Sequence, residues 1–496
     1  MGSHQEEPKK KHILMLPFMA QGHIPVFLSL ANLINKTYPN TYTVTIVSTS
    51  LNVEAIRSVL PPSSAVNLHV LPFRSTDYGL PANSENTNSI PYSLMLNFVC
   101  SGRSLRPHLR DLLDKILARN GCPPFCIIAD IFFGWSGELA REYGVAHFTL
   151  STCSAVGYAA YIGLWRHLPH LGMKDDEEFG IPGFPEKYRI RRNQLPENLK
   201  IADGNDDWSK FYRNDVTNIG RANSDGLLVN TVEEFETAEL AILGKITGLP
   251  VYPLGPLFLE RDGMSNATSS NRKIIEWLDG HPPDSVLYVS FGSQNTITRS
   301  QMMALASGLE ASSVSFLWVV RSPIGFDLKI EFKDEWLPAG FEKRVKGRGL
   351  IVRNWGPQPE ILEHASVKAF LTHCGWNSVM ESLSRGVTLM GWPLAAEQFY
   401  NAKMLEEEVG VLVELARGPV DHVDPQKVSE TVVLVMKSEK GKEMKRRATE
   451  LAGKINEAVC SGGDGKIKKG SSRTNKLDDF LNSVNFQLFF TSEEIN

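Results

Sequence analysis

The chain has 496 residues, 42% of them hydrophobic and 22% charged, which suits a globular protein with two cored domains. Its net charge of −4 argues against a nucleic-acid or anionic-membrane partner. No apolar run approaches the roughly 20 residues of a membrane span. The apolar run 13–19 behind the polar first residues is interrupted by Pro17 and too short for a signal segment. Six cysteines show no paired metal-ligand spacing, so the expectation is a cytoplasmic chain with reduced thiols.

The first half alternates strands and helices. Residues 12–16 read as a strand that ends in the turn Ala20-Gln21-Gly22-His23. A helix to about Asn35 follows, with Phe27, Leu30, Ala31 and Ile34 on one face. Further strands are expected at 42–48, 66–71, 126–129, 146–150 and 225–230. Such alternation implies parallel βαβ units in a doubly wound sheet. The stretch 251–256 carries two prolines and a glycine, and 261–271 is polar, so the interdomain linker is set at 251–273. A second alternating series follows, with strands at 286–290, 316–320, 350–353, 368–372, 387–391 and 411–414. The domains are therefore expected at 1–250 and 274–465. Residues 461–472, rich in Gly, Lys and Ser, read as a mobile loop. Leu477, Phe480, Leu481 and Val484 then recur at helical spacing within the final segment 466–496.

The richest stretch is 355–398. The apolar run 368–372 reads as a buried parallel strand. His373, Cys374 and Gly375 turn it into a helix opened by Asn377 and Ser378. Unpaired N–H groups and the helix dipole make such a start an anion site. His373, Asn377 and Ser378 add side-chain donors, which suits a diphosphate. Trp355 could stack on a flat base and Gln358 could bond its edge or the ribose. Glu381, one helical turn beyond Asn377 and Ser378, could hold ribose hydroxyls. Glu397 and Gln398 suit sugar hydroxyls. The order W-x-P-Q (with Gly356 as x), T-H-C-G-W-N-S, a downstream Glu, W-P and a final E-Q resembles the signature box of plant family-1 UDP-dependent glycosyltransferases. The resemblance implies the GT-B architecture: α/β, with two doubly wound, Rossmann-like sheets facing across a cleft. It implies a last helix that crosses back to the first domain. It also implies UDP-glucose as co-substrate, no further cofactor, a small-molecule acceptor and a monomer, with Trp376, Glu397 and Gln398 reading the sugar.

A base must activate the acceptor hydroxyl. His23 is the candidate, in the turn after the first strand, and Asp130 at a later strand end could orient it. The resemblance implies the same pair, although Gly22-His23-Ile24-Pro25 brings the proline one residue earlier than the family pattern. It implies inversion at the anomeric carbon. Ser293, after the strand 286–290, is expected to help hold the pyrophosphate. No Asp-x-Asp occurs, so no essential metal is expected. Phe18, Met19, Phe98, Phe132, Phe133, Trp135 and Phe148 lie near strand ends or in loops. With Ala395, some of them are expected to line an apolar pocket for a flavonoid, phenol or terpenoid.

Rival classes lack their motifs. A nicotinamide dehydrogenase needs G-x-G-x-x-G in the first turn, and a P-loop enzyme needs G-x-x-x-x-G-K-[ST]. A non-catalytic sugar-nucleotide binder would not need His23 and Asp130. A UDP-sugar epimerase of the same architecture lacks the resemblance.

Overall fold

The computed structural model describes residues 10–258, 269–326, 330–418, 422–459 and 470–493. Most of the stretch 461–472 and the polar segment 259–268 lie outside them.

The first sheet uses β1 (Lys11–Leu16), β2 (Tyr42–Ser48), β3 (Asn67–Val70), β4 (Cys126–Asp130) and β5 (Ala146–Ser151). A hairpin of β6 (Glu178–Gly180) and β7 (Arg189–Arg191) stands apart. β8 (Gly226–Val229) and β9 (Val251–Pro253) complete the sheet. Its order is β3-β2-β1-β4-β5-β8-β9, and every neighbouring pair is parallel. Side-chain alternation explains why both faces are covered. Ile13 and Met15 enter one apolar layer, while Leu14 and Leu16 enter the other. Every residue of β4 is buried.

One boundary differs from the sequence reading. The linker was expected to begin at 251, but Val251 pairs with Leu227 and Pro253 with Val229 at the sheet edge. A proline, which cannot donate, is tolerated there because the outer ladder is open. The helix Ser269–Asp279 likewise starts inside the stretch assigned to the linker.

The second sheet comprises β10 (Val286–Ser290), β11 (Ser315–Val320), β12 (Gly349–Arg353), β13 (Val367–Thr372), β14 (Thr388–Gly391) and β15 (Leu412–Glu414). Its order, β12-β11-β10-β13-β14-β15, is again all parallel. In each sheet the winding reverses once, between β1 and β4 and between β10 and β13. Open α/β sheets bind ligands beyond the strand ends at such a switch point.

The helix Ser472–Glu493 returns to the first sheet. Leu477, Phe480, Leu481 and Val484 are buried in the layer that also holds Ile13 and Met15. The Phe480 ring lies 4.7 Å from that of Phe148. Phe148 is therefore core under the last helix, and is not among those of the expected candidates that could line an acceptor pocket.

Candidate active site

The first half of the site grows from β1 and β4. The turn after β1 leads into the helix Ile24–Thr37, whose first turn accepts Pro25 because no intrahelical N–H is needed there. His23 is the residue before that helix. Because β1 and β4 are neighbours, Leu16 pairs with Ala129 and the chain ends run side by side. His23 Nδ1 lies 2.8 Å from Asp130 Oδ2. Asp130 Oδ1 accepts from the Phe132 N–H at 3.2 Å, so one carboxylate orients the imidazole and caps its own turn. An Nδ1–H donated to Asp130 leaves Nε2 as the lone-pair nitrogen. Burial pulls the His23 pKa down, but the charge of Asp130, its hydrogen bond and the charge of Glu397 together raise it above its ordinary value.

Thr152, just beyond β5, brings Oγ1 to 3.1 Å from the same Nδ1. The sequence analysis gave Thr152 no role. The next residues reach toward Glu397 and Asn401. Cys153 and His23 both ease the ionisation of Glu397, whose pKa is nevertheless raised by burial. Ser154 Oγ caps the helix Ala155–His167 through the Gly157 N–H and donates to Asn401 Oδ1 at 2.6 Å. Asn401 Nδ2 in turn donates to Cys374 O at 3.0 Å. This loop therefore bonds directly to the second domain.

The second half grows from β10 and β13. β13 ends at Thr372, and the helix Trp376–Leu383 starts after His373, Cys374 and Gly375. The left-handed residue of this turn is Cys374, at φ 64°. The two glycines act through space. A Cβ on Gly375 would fall 2.4 Å from His373 Nε2, and one on Gly292 would fall 2.6 Å from its Cε1. The imidazole fits only because both are glycine. Burial pushes the His373 pKa down to about 4, so the ring is neutral at physiological pH.

Gln358 Nε2 donates to Ser378 Oγ at 3.0 Å and to Glu381 Oε2 at 2.8 Å, which gathers three of the expected donor-site residues. Trp355 is 59% exposed, an open platform beside them. Gly356 packs closely, since a Cβ there would meet Val319 Cγ2 at 3.0 Å. Ser293 is exposed, and its carbonyl is held by the guanidinium of Arg321, which also bonds Gly292 O at 3.3 Å. The sequence reading missed Arg321.

Two expectations change. The indole of Trp376 is 2% exposed, stacks on Phe235 and donates to Asn230 O at 2.7 Å. Its side chain joins the domains and does not face a sugar. Gln398 was expected to offer its whole amide to sugar hydroxyls. Its Oε1 already accepts from the Leu394 and Ala395 N–H groups at 3.0 and 2.9 Å, so only Nε2 is left to offer.

The aromatic cluster divides in two. Phe18 and Phe132 stand 5.4 and 5.6 Å from the His23 ring. Phe98 and Phe133 pack on Phe18, and Trp135 packs on Phe133. These three are buried, as are Phe18 and Met19, while Phe132 is half-buried. Ala395 lies at the loop of Glu397 and is half-buried. Phe211 stacks on Phe132 and forms one wall of a cavity of about 340 Å³, with Leu96, Cys100, Arg103 and Asp215 among the others.

The family described as UDP-glucoronosyl and UDP-glucosyl transferase matches residues 233–445. UDP-glycosyltransferase 92A1 of Arabidopsis thaliana is 41% identical, over 97% of this chain and 98% of its own. The chain belongs to this family. This UDP-glycosyltransferase is also 45% identical to crocetin glucosyltransferase 3 of Crocus sativus, over 92% of the chain and 97% of that protein. Its fold superposes on the crystal structure of TcCGT1 in complex with UDP with a TM-score of 0.77 at 28% identity, covering 97% of this chain and 100% of that one. It is a glycosyltransferase of GT-B architecture that uses a UDP-sugar. Among the described residues no helix is long and apolar enough to cross a membrane.

Proposed function

We propose that this transferase moves glucose from UDP-glucose to a hydroxyl of a small apolar plant metabolite, with inversion and without a metal. The observation that carries the reading is the His23–Asp130 pair at the switch point of the first sheet, with Glu397 of the second domain acting on the same imidazole.

The acceptor hydroxyl gives its proton to His23 Nε2 as its oxygen attacks the anomeric carbon. The bond to UDP breaks on the opposite face, so the configuration inverts. Asp130 holds the Nδ1–H and stabilises the imidazolium that forms. The start of the helix Trp376–Leu383, with His373, Asn377 and Ser378, takes the charge that develops on the diphosphate. Ser293 completes that cradle. Trp355, Gln358 and Glu381 hold the uridine. Glu397 accepts from sugar hydroxyls and Gln398 Nε2 donates to one. Phe132, half-buried, offers the acceptor an apolar face beside the base, backed by the buried Phe18, Phe98, Phe133 and Trp135. A flavonoid, phenol or terpenoid suits that surface. The crocetin acceptor named for the Crocus relative is likewise a small molecule.

The test is to incubate the protein with UDP-glucose and a panel of phenols, flavonols and terpenoids and to read products by mass and anomeric coupling. A β-glucoside of any panel member supports the reading. Hydrolysis or epimerisation of UDP-glucose with no glucoside overturns it.

A further inference from the structure

We propose that Asn230 is a positioning residue for the transfer: with Asn377 it forms a side-chain relay of fixed polarity between the interdomain connection and the turn that carries His23. The inference rests on the transferase reading for what the relay positions. Asn230 follows β8 and is 2% exposed. The relay has three bonds. Leu257 N–H donates to Asn230 Oδ1 at 2.6 Å, Asn230 Nδ2 donates to Asn377 Oδ1 at 3.1 Å, and Asn377 Nδ2 donates to Gly22 O at 2.7 Å. Gly22 is the residue before His23, and Asn377 is in the first turn of the helix at the diphosphate site.

The two backbone ends fix the direction. A peptide N–H can only donate and a carbonyl can only accept, so both amides have one orientation that satisfies the chain. Turning either amide over sets donor against donor or acceptor against acceptor at both of its contacts. The backbone of Asn230 adds a fourth bond, since its carbonyl takes the Trp376 indole N–H at 2.7 Å. The connection also passes very close. A Cβ on Gly255 would lie 2.6 Å from Asn230 C and 2.9 Å from its Oδ1. Asn230 thus touches the chain between the domains, the start of the anion-binding helix and, through Asn377, the turn of the base. Asn377 has a second N–H, which can serve a phosphate oxygen without breaking the relay. The distance from donor to base is then set by one continuous path of hydrogen bonds.

The experiment compares Asn230→Ala, Asn377→Ala and the double variant with the wild type. It reads kcat and KM with UDP-glucose, UDP affinity by calorimetry, and hydrogen exchange of residues 18–26 by mass spectrometry. A misplaced reacting pair costs up to ~10²-fold. Asn230→Ala should therefore lose about 10- to 100-fold in kcat, with UDP affinity within about threefold of wild type. The double variant should be no slower than the slower single, because one path is cut once. Exchange of 18–26 should rise in both singles. Additive losses in the double, or unchanged exchange at 18–26, overturn the relay. The exchange arm needs no turnover, so it reads the relay even where the transferase reading fails. Should Asn230→Ala not fold, Asn377→Ala at its half-buried position still gives the exchange answer.

Discussion

His23 and Asp130 are 107 positions apart, yet Nδ1 of one is 2.8 Å from Oδ2 of the other. The contact follows from sheet order. β1 and β4 are neighbours at the point where the winding reverses, which brings the turn after β1 beside Asp130, the last residue of β4. Because Asp130 and Glu397 together raise the His23 pKa despite its burial, the base form is incomplete at mildly acidic pH. The sign is direct. Transfer needs the unprotonated imidazole, so kcat/KM should rise with pH and level off above an inflection higher than ~6.5, the ordinary histidine value. Asp130→Asn removes the charge and should move that inflection to lower pH while slowing turnover. His23→Ala should cut turnover by ~10²–10⁴-fold with UDP still bound. Near wild-type rates in His23→Ala on two acceptors, or an unmoved inflection in Asp130→Asn, contradict the assignment.

The diphosphate cradle is predicted to work with hydrogen-bond donors alone. Chelation with EDTA should leave turnover nearly intact. Ser378→Asp places a second anion at the helix start and should weaken UDP binding, measured by calorimetry, with less effect at high salt. Complete loss of activity in EDTA that a divalent cation restores rules this out.

Much of this was legible in the chain. The buried parallel strands are short, unbroken, β-branched or apolar runs, so all twelve of the expected strand positions were readable without a partner in view. β9 was not, because Pro253 reads as a breaker unless it is known to sit at an edge. The hairpin β6–β7 has three residues per strand and leaves no pattern. In the site, the box 355–398 is contiguous and could be read as a unit. Thr152, Ser154 and Asn230 could not, since their partners are 129, 247 and 147 positions away. Trp376 was misassigned for the same reason: its indole partner, Asn230 O, is invisible in sequence.

Gln398 should discriminate sugars through its amide nitrogen. Gln398→Glu keeps an oxygen for the Leu394 and Ala395 N–H groups and loses the only remaining donor. An unmade hydrogen bond costs roughly 1–3 kcal/mol, or about one to two decades in rate. UDP-glucose kcat/KM should fall by about that much, with UDP affinity unchanged, and the preference over UDP-galactose should narrow. If UDP-galactose, UDP-xylose or UDP-glucuronate already exceeds UDP-glucose in the wild type, this reading of Glu397 and Gln398 is wrong.

Gly157 is expected to set where Glu397 lies. A Cβ there would meet Ser154 Oγ at 2.7 Å and Glu397 Cβ and Cγ at 3.0 and 3.1 Å. Alanine is the better helix residue by ~1 kcal/mol, so helix propensity taken alone favours the change. The contact says otherwise for function. Gly157→Ala should displace Glu397 and raise KM for UDP-glucose several-fold, while affinity for UDP, which lacks the sugar, stays the same. Equal effects on both ligands contradict a role confined to the sugar.

Glu236 carries the last prediction. It is fully buried at a kink inside the helix Glu233–Thr247. Its two oxygens accept from the Ala155 and Val156 N–H groups, each at 3.0 Å, at the start of the helix that follows the Thr152–Ser154 loop. Burial pushes its pKa up to about 7, and these two N–H groups hold it from rising further. An unfolded glutamate titrates near ~4.3. Between those values the native protein holds the proton and the unfolded chain does not. Native protein therefore binds more protons in that window, and stability must fall as pH rises through it. The loss is on the order of 3 kcal/mol, at 1.36 kcal/mol per pKa unit. Glu236→Gln cannot ionise, so this slope should vanish. Other titrating groups are common to both proteins and cancel in the comparison. Urea unfolding at pH 5 and pH 8 measures it: the wild type should lose more stability over that span than Glu236→Gln. Parallel losses in the two proteins mean that Glu236 already ionises at its ordinary pKa in the folded state.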